Sequence, residues 1–360
     1  MESKSESKTV AVIFGGFSPE YTVSLKSAHS IINAIDRDKY EVILIGITNG
    51  GQWYRYFGPN DDIPSDVWHT DKSRLRKAFI SPQRGGGLLE FVDGAAVTVP
   101  VDVAFPVLHG RYGEDGTIQG LCELAGIPVV GAGSAASALC MDKERANKLV
   151  ALAGVSVPRS VCYEFAPAEE ELLSGVSGLK FPVFVKPVRG GSSIGVSKVE
   201  NLADIPEAVR LARRYDDAVI IEEGIAGTEI GCAVVGNQAL STGRVDEIEV
   251  ASGFFDYEEK YSLKTSKIYV PARIDEDTES RVQEAAKVIY SALGCRGYAR
   301  IDMFLSKEGE VFFLEANTIP GFTPFSQFPR MMKAVGVEYP ELVDMLIGLA
   351  LSVEKGEWYG

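Results

Sequence analysis

Apolar positions along this 360-residue chain fall into two rhythms, and the change between them divides it. From Thr9 to about Gly126 the runs TVAVIFGG, YEVILIGIT and VDVAFPVLHG are almost continuously apolar, with a helix-like stretch from Ser24 to Ile35 between the first two. Apolar strands separated by helices predict a parallel sheet covered on both faces, so 9–125 reads as a Rossmann-like, doubly wound α/β domain. A helix is expected from Ser134 to about Ala153, stopped by Gly154 as a left-handed cap. Beyond it the strand signals shorten to VPRSVCYE, FPVFVKPV, GVSKV and AVIIEEGI, with one helix near Ala203 to Tyr215. That mixture reads as α+β, which sets a boundary near residue 126 and a second unit over 126–223. A third unit, 224–355, carries strands TEIGCAVVG and KIYVPARI, a helix with Val282, Ala285, Ala286, Ile289 and Leu293 at helical spacing, and a terminal hairpin and helix.

Composition narrows the function classes. With 46% hydrophobic and 24% charged residues the chain reads as globular, and its length fits two or three domains at ~100–200 residues each. Lys and Arg total 36 against 50 Asp and Glu, a net charge of -14, which argues against nucleic acid or an anionic membrane as partner. No apolar run approaches the ~20 residues of a spanning helix. The polar start MESKSESK is expected to be a frayed tail, 1–8, without the apolar stretch of a secretory signal. Five widely spaced cysteines without a CxxC pair make disulfides and thiolate zinc poor readings and point to a reducing cytoplasm. His29, His69 and His109 are too scattered for a histidine metal site, so any metal would use oxygen ligands.

The most informative segment is YARIDMFLSKEGEVFFLEANT. Alternation puts Tyr298, Arg300, Asp302 and Phe304 on one face of a strand, and Val311, Phe313, Glu315 and Asn317 on one face of the next. A turn centred between Glu308 and Gly309 sets Asp302 opposite Glu315 and Arg300 opposite Asn317. Two opposed carboxylates repel unless a cation lies between them, and so few oxygen ligands fit Mg²⁺ completed by nucleotide phosphates better than caged Ca²⁺. The bland alternative is a solvated strand face. Upstream, FPVFVKPVRGGSSIGV delivers Lys186 on a strand into Arg189, Gly190, Gly191, Ser192, Ser193, Ile194 and Gly195. Such a loop can turn backbone N–H groups toward phosphates, or be a simple turn. Gly131, Gly133 and Ala136 match GxGxxA, but no acidic residue follows at the end of a second strand, so they read as a turn into the helix that presents Asp142 and Lys143. Glu222 at a strand end and Glu229 seven residues on can accept from an adenine amine and a ribose hydroxyl, or be solvated.

Together these residues resemble the D-alanine:D-alanine ligases of the ATP-grasp fold, from about Val10 to Leu351. The resemblance rests on GGFSPEYTVSL, FPVLHGRYGEDGTIQG, SALCMDKERAN, VKPVRGGSSIG, FFDYEEKYSLKTSKIYVPA, ARIDMF and LEANTIPGFTPFSQFP. It implies an N-terminal preATP-grasp domain, ATP and two Mg²⁺ ions, with Mn²⁺ as a substitute, and small D-amino acids as substrates of a cytoplasmic homodimer. Lys143, Lys186, Gly190, Gly191, Ser193 and Lys260 would hold phosphates, with Glu222 at the adenine and Glu229 at the ribose. Asp302, Glu315 and Asn317 would bind metal. Glu20 would take the ammonium of the first D-amino acid, in a network with Ser192 and Tyr261, with His109 nearby. Arg300 and the N–H of Gly321 would stabilise the oxyanion formed when an amine attacks an acyl phosphate, beneath a lid over about 253–267.

The second substrate hinges on Ser326, which would bind its carboxylate, and Gln327, where relatives carry Met or Leu, or Arg in the vancomycin-resistance types. Tyr261 argues against a D-lactate preference. The expected product is D-alanyl-D-alanine for peptidoglycan synthesis, with D-alanine:D-serine ligation of the vancomycin-resistance type as the alternative. Two other classes make distinct expectations. A nucleotide-binding module without catalysis predicts gaps among Arg300, Asp302, Glu315 and Asn317, and a Rossmann oxidoreductase predicts an acidic ribose ligand that the sequence lacks.

Overall fold

The computed structural model describes residues 7–250 and 266–353, and in them the apolar runs become three sheets. The first sheet contains β1 (Lys8–Gly15), β2 (Tyr40–Ile47), β3 (Trp53–Tyr56), β4 (Leu75–Ile80), β5 (Leu88–Val92), β6 (Ala95–Val99) and β7 (Val103–Val107), in the order β6-β5-β4-β3-β2-β1-β7. β1 runs parallel to β2 and β7, whereas β2 to β6 form an antiparallel meander. The sheet is therefore mixed rather than wholly parallel as expected: the connections from β2 to β3 and from β5 to β6 are too short for a crossover, and only an antiparallel pair can be closed by a short turn. Helix α1 (Tyr21–Ala34) covers one face through Leu25, Ala28, Ile31 and Ile32, and α2 (Thr117–Ala125) covers the other through Ile118, Cys122 and Ala125.

The single helix expected from Ser134 to Ala153 is two, α3 (Ser134–Met141) and α4 (Lys143–Leu152). Asp142 breaks it by leaving helical geometry, and its carboxylate accepts from the Arg145 N–H as the N-cap of α4. Gly154 does take the left-handed conformation, φ +88°. The second sheet is antiparallel, in the order β10-β9-β11-β8: β8 (Ser160–Tyr163), β9 (Val183–Pro187), β10 (Ser197–Val199) and β11 (Val219–Glu223), backed by α5 (Glu169–Val176) and α6 (Ile205–Ala212).

The third sheet comprises β12 (Gly227–Val235), β13 (Ser241–Thr242), β14 (Asp246–Val250), β15 (Ser266–Tyr269), β16 (Tyr298–Ser306) and β17 (Val311–Asn317). Helix α7 (Glu276–Ala292) packs Val282, Ala286 and Ile289 on one face against Ile301, Met303 and Phe313. After α8 (Gln327–Lys333) the chain does not stay with this sheet. Helix α9 (Tyr339–Leu351) returns to the first one, seating Leu342, Leu346 and Ile347 with Val12, Phe14 and Ile31. Lys39 and Tyr40 bind the Asp344 carboxylate from the sheet side at 2.8 and 3.0 Å. That return carries the segment between β17 and α8 across to the loops after β1 and β7. Among the described residues no helix is long and apolar enough to cross a membrane.

Candidate active site

The β16–β17 hairpin pairs Arg300 with Asn317 and Asp302 with Glu315, the register expected from the sequence. The register then shifts by one residue after Asp302, so Met303 faces Phe313 and Phe304 faces Phe312. The extra residue is Leu314, and this bulge corrects the expected alternation: Phe313 and Val311 join the core with α7, not the face of Glu315. Across the sheet, one row aligns Asp246 of β14, Gly231 of β12, Asp302 of β16 and Glu315 of β17. A Cβ at Gly231 would lie 2.6 Å from Asp246 Oδ1 and 3.3 Å from Asp302 Oδ1, so glycine leaves room for two buried carboxyls.

The repulsion argued between Asp302 and Glu315 is relieved first by protein. Arg300 donates to both Asp302 oxygens, at 2.7 and 2.6 Å, and Asn317 Nδ2 donates to Oδ2 at 2.8 Å. Burial opposes the Arg300 charge, but Asp302 and its neighbours raise its pKa above the ordinary arginine range. Asp246 is fully buried and its pKa is pushed up to about 7, mainly by desolvation. Gln327 Nε2 donates to its Oδ2 at 2.9 Å, while among the described residues Oδ1 meets no hydrogen-bond partner. Asp302, Glu315 and Asn317 offer hard oxygens side by side, which suits a divalent cation. Among the described residues no cluster of three His, Cys, Asp or Glu side chains is poised to cage a metal alone. The donor set thus fits an ion that keeps water or phosphate ligands.

Two cavities meet at this hairpin and share Lys143, Gly190, Gly191, Glu229 and Glu315 in their walls. One, of about 390 Å³, lies between the second and third sheets and adds Lys186, Ser193 and Glu222. Lys186 donates to Glu222 at 2.7 Å and Asn147 holds the other oxygen at 2.8 Å, so the buried carboxylate is satisfied on both sides. Lys143 donates to the Gly190 carbonyl at 2.6 Å and lies 4.0 Å from Glu315. In the glycine-serine loop Ser192 and Ser193 hold φ of +52° and +56°, unusual for side-chain-bearing residues. Arg189 points away, forked on Asp216 at 3.1 and 2.7 Å.

The other cavity, of about 500 Å³, adds Glu20, His109, Glu114, Ser192, Arg300, Asp302, Asn317, Gly321, Ser326 and Gln327. Ser192 Oγ donates to Glu20 Oε1 at 2.5 Å, joining the loop after β1 to the loop after β9. His109 Nδ1 lies 2.7 Å from the Ile319 carbonyl, which can only accept, so Nδ1 carries the proton. Burial and the nearby Arg300 lower the His109 pKa to about 4, so the ring is neutral and Nε2 accepts from Ser27 Oγ at 3.2 Å. Ser326 Oγ accepts from the Thr323 N–H at 3.0 Å at the start of α8. Lys260, Tyr261 and most of the expected lid, 253–267, lie outside the described residues.

Sequence reasoning missed Asp246, Asn147, Ser27 and Glu114. Glu114 accepts from the N–H of Gly110 and of Ile319, both at 2.9 Å, and burial, then the charges of Glu20 and Glu315, drive its pKa to about 8. It stands inside HGRYGEDG, whose three glycines and paired carboxylates are the signal in the sequence that could find it.

The comparisons with known proteins agree with this geometry. The family model for the D-ala D-ala ligase N-terminus matches residues 9–132, and that for the C-terminus matches 160–348. The chain is 44% identical to the vancomycin C-type resistance protein VanC2 of Enterococcus casseliflavus, over 95% of this chain and 98% of that protein. It is 42% identical to a D-alanine--D-alanine ligase of Caldicellulosiruptor bescii, over 96% of each. The crystal structure of the VanG D-Ala:D-Ser ligase from Enterococcus faecalis superposes with a TM-score of 0.90 at 51% identity, covering 96% of this chain and 100% of that one. Sheets, hairpin and glycine-serine loop are those of an ATP-grasp enzyme, and the chain belongs to the D-alanine:D-alanine ligase family.

Proposed function

We propose that the chain joins two D-alanine molecules at the expense of ATP, giving D-alanyl-D-alanine for peptidoglycan. The observation that carries this reading is the junction of the two cavities at Lys143 and Glu315, which sets a cationic, glycine-lined phosphate site against a pocket with a buried carboxylate for an ammonium. Lys143, Lys186, Gly190, Gly191 and Ser193 hold the phosphates, with Glu222 and Glu229 at adenosine. Release of Glu222 from Lys186 on ATP binding would free the ammonium for phosphate and the carboxylate for adenine. Asp302, Glu315 and Asn317 hold two Mg²⁺ ions, or Mn²⁺, which withdraw charge from the phosphoryl oxygens when bound.

Glu20, with Ser192, orients the first D-alanine so that its carboxylate oxygen attacks the γ-phosphorus and ADP leaves. The acyl phosphate must be kept from water, the task expected of the segment over 253–267 with Lys260 and Tyr261, most of which lies outside the described residues. The amine of the second D-alanine, placed by Ser326, attacks the acyl carbon. Arg300 and the Gly321 N–H hold the oxyanion, then phosphate departs and the amide remains. The units 9–125, 126–223 and 224–355 act as a cytoplasmic homodimer in this reading.

A second reading, D-alanine:D-serine ligation of the vancomycin-resistance type, is favoured by one observation. With its Nε2 bound to Asp246, Gln327 leaves its carbonyl oxygen as an acceptor, which a serine hydroxyl can use and a methyl cannot. Phosphate release with D-Ala alone, then with D-Ser or D-lactate added, followed by mass analysis of product, tests both. Rapid release with D-Ala alone supports the first reading, release that needs D-Ser supports the second, and no D-Ala-dependent release refutes both.

A further inference from the structure

Between β17 and α8 the backbone of Ile319 and Phe322, on either side of Pro320-Gly321, is held at both its N–H and carbonyl groups. The Ile319 N–H donates to Glu114 Oε1 at 2.9 Å and its carbonyl accepts from His109 Nδ1 at 2.7 Å. The Phe322 N–H donates to Ser27 Oγ at 3.2 Å and its carbonyl accepts from Tyr339 OH at 2.6 Å. Pro320 has no N–H, and the Thr323 N–H is taken by Ser326. From 319 to 323, Gly321 therefore keeps the one backbone N–H without a protein partner among the described residues. Gly321 lines the cavity that also holds Arg300.

These bonds form a connected relay. Phe322 N–H donates to Ser27 Oγ, Ser27 O–H donates to His109 Nε2, and His109 Nδ1–H donates to the Ile319 carbonyl. Glu114 then closes the bracket, since its second oxygen is anchored on the Gly110 N–H, one residue from His109. Three side chains on two elements of the first sheet's layer, α1 and the loop after β7, thus hold Ile319 and Phe322, the residues that flank Pro320-Gly321 after the third sheet's last strand.

We propose that Ser27, His109 and Glu114 are positioning residues for the oxyanion donor. They bracket Gly321 by holding Ile319 on one side and the Phe322 N–H on the other, so that its N–H is preset where the tetrahedral intermediate forms. A preorganised donor costs no reorientation when charge develops, and that is the source of its catalytic value. His109, expected from the resemblance to stand near the first substrate, acts here through the Ile319 peptide. The inference rests on the ligase reading above and adds to it which residues make the donor effective.

The test separates positioning from folding. In Glu114→Gln the amide keeps one acceptor and turns an N–H donor toward either Gly110 or Ile319, and in Ser27→Ala both Phe322 N–H and His109 Nε2 lose their partner. Each variant should lower kcat ~10- to 100-fold and weaken binding of a tetrahedral phosphinate analogue of the dipeptide by the same factor, with KM for ATP and ADP affinity within ~2-fold of wild type. Analogue and ADP affinities that fall together, or an analogue affinity that does not move while melting temperature drops, would overturn the proposal. If Glu114→Gln does not fold, Ser27→Ala, which deletes a single oxygen, carries the same comparison. Wild-type protein that releases no phosphate with D-Ala or D-Ser would overturn the functional reading and this inference with it, whereas an active wild type with indifferent variants would overturn this inference alone.

Discussion

The two cavities that meet at Lys143 and Glu315 are built by different means. The nucleotide side is made of a loop in left-handed backbone and two lysines already engaged by protein acceptors. The amino-acid side is walled by the carboxyls of Glu20, Glu114 and Asp302, with Asp246 behind Gln327, each with named donors. The difference follows from the ligands each side would take. Phosphates bring their own negative charge and need N–H groups and cations that can be released to them, whereas an ammonium and a growing oxyanion need groups fixed before they arrive.

The sharpest way to break this contrast is at the shared wall. Asp302→Asn should lower turnover ~10³- to 10⁴-fold, because it removes a metal ligand and the counter-charge of Arg300 together. Loss of the buried partner should also lower the melting temperature, since Arg300 then keeps only a neutral acceptor; near-normal phosphate release from this variant would refute the hairpin's role. On the nucleotide side, Lys186→Met should cut kcat/KM for ATP by ~10²-fold with the KM for D-Ala little changed. An equal rise in both KM values would mean that the two cavities do not divide the substrates.

On the amino-acid side, Gln327→Met should shift the D-Ser to D-Ala ratio of kcat/KM toward D-Ala by ~10-fold, the scale of one side-chain contact. It also strips Asp246 of its donor, so Asp246→Asn in the same chain should recover stability without restoring the ratio. An unchanged ratio removes Gln327 as the discriminator.

The smallest effect is on pH dependence. His109 has its pKa lowered to about 4, so the unfolded chain binds more protons and stability is lost as pH falls from about 6.5 toward 4. Glu114 and Asp246 have theirs raised, to about 8 and about 7, so the folded chain binds more protons and their contribution is lost as pH rises through those values. Glu114→Gln should flatten the fall in melting temperature between pH 5 and 8, and an unchanged slope would show that the carboxyl is not proton-bearing when folded.

The hairpin was legible in advance because strand alternation and a turn at Glu308-Gly309 are local, and they set Arg300 opposite Asn317 and Asp302 opposite Glu315. The bulge at Leu314 was not, since nothing in FFLE marks which residue is extra. Asp246 was hidden for a different reason: its importance depends on β14 lying beside β12, with Gly231 in the gap, and strand order is not a local property. The break at Asp142 was written in the sequence as an N-cap residue followed by KER, but apolar periodicity continues across it. The return of α9 to the first sheet was likewise beyond any local pattern, and it is what brings Tyr339 to the Phe322 carbonyl beside Gly321.

The most direct test of the central claim is isotopic. If the paired carboxylates of the hairpin serve transfer of a phosphoryl group to a carboxylic acid, D-alanine labelled with ¹⁸O in its carboxylate must surrender one of those oxygens to the phosphate released. The account predicts one ¹⁸O in each phosphate and one retained in the new amide carbonyl. Unlabelled phosphate alongside dipeptide product would contradict it.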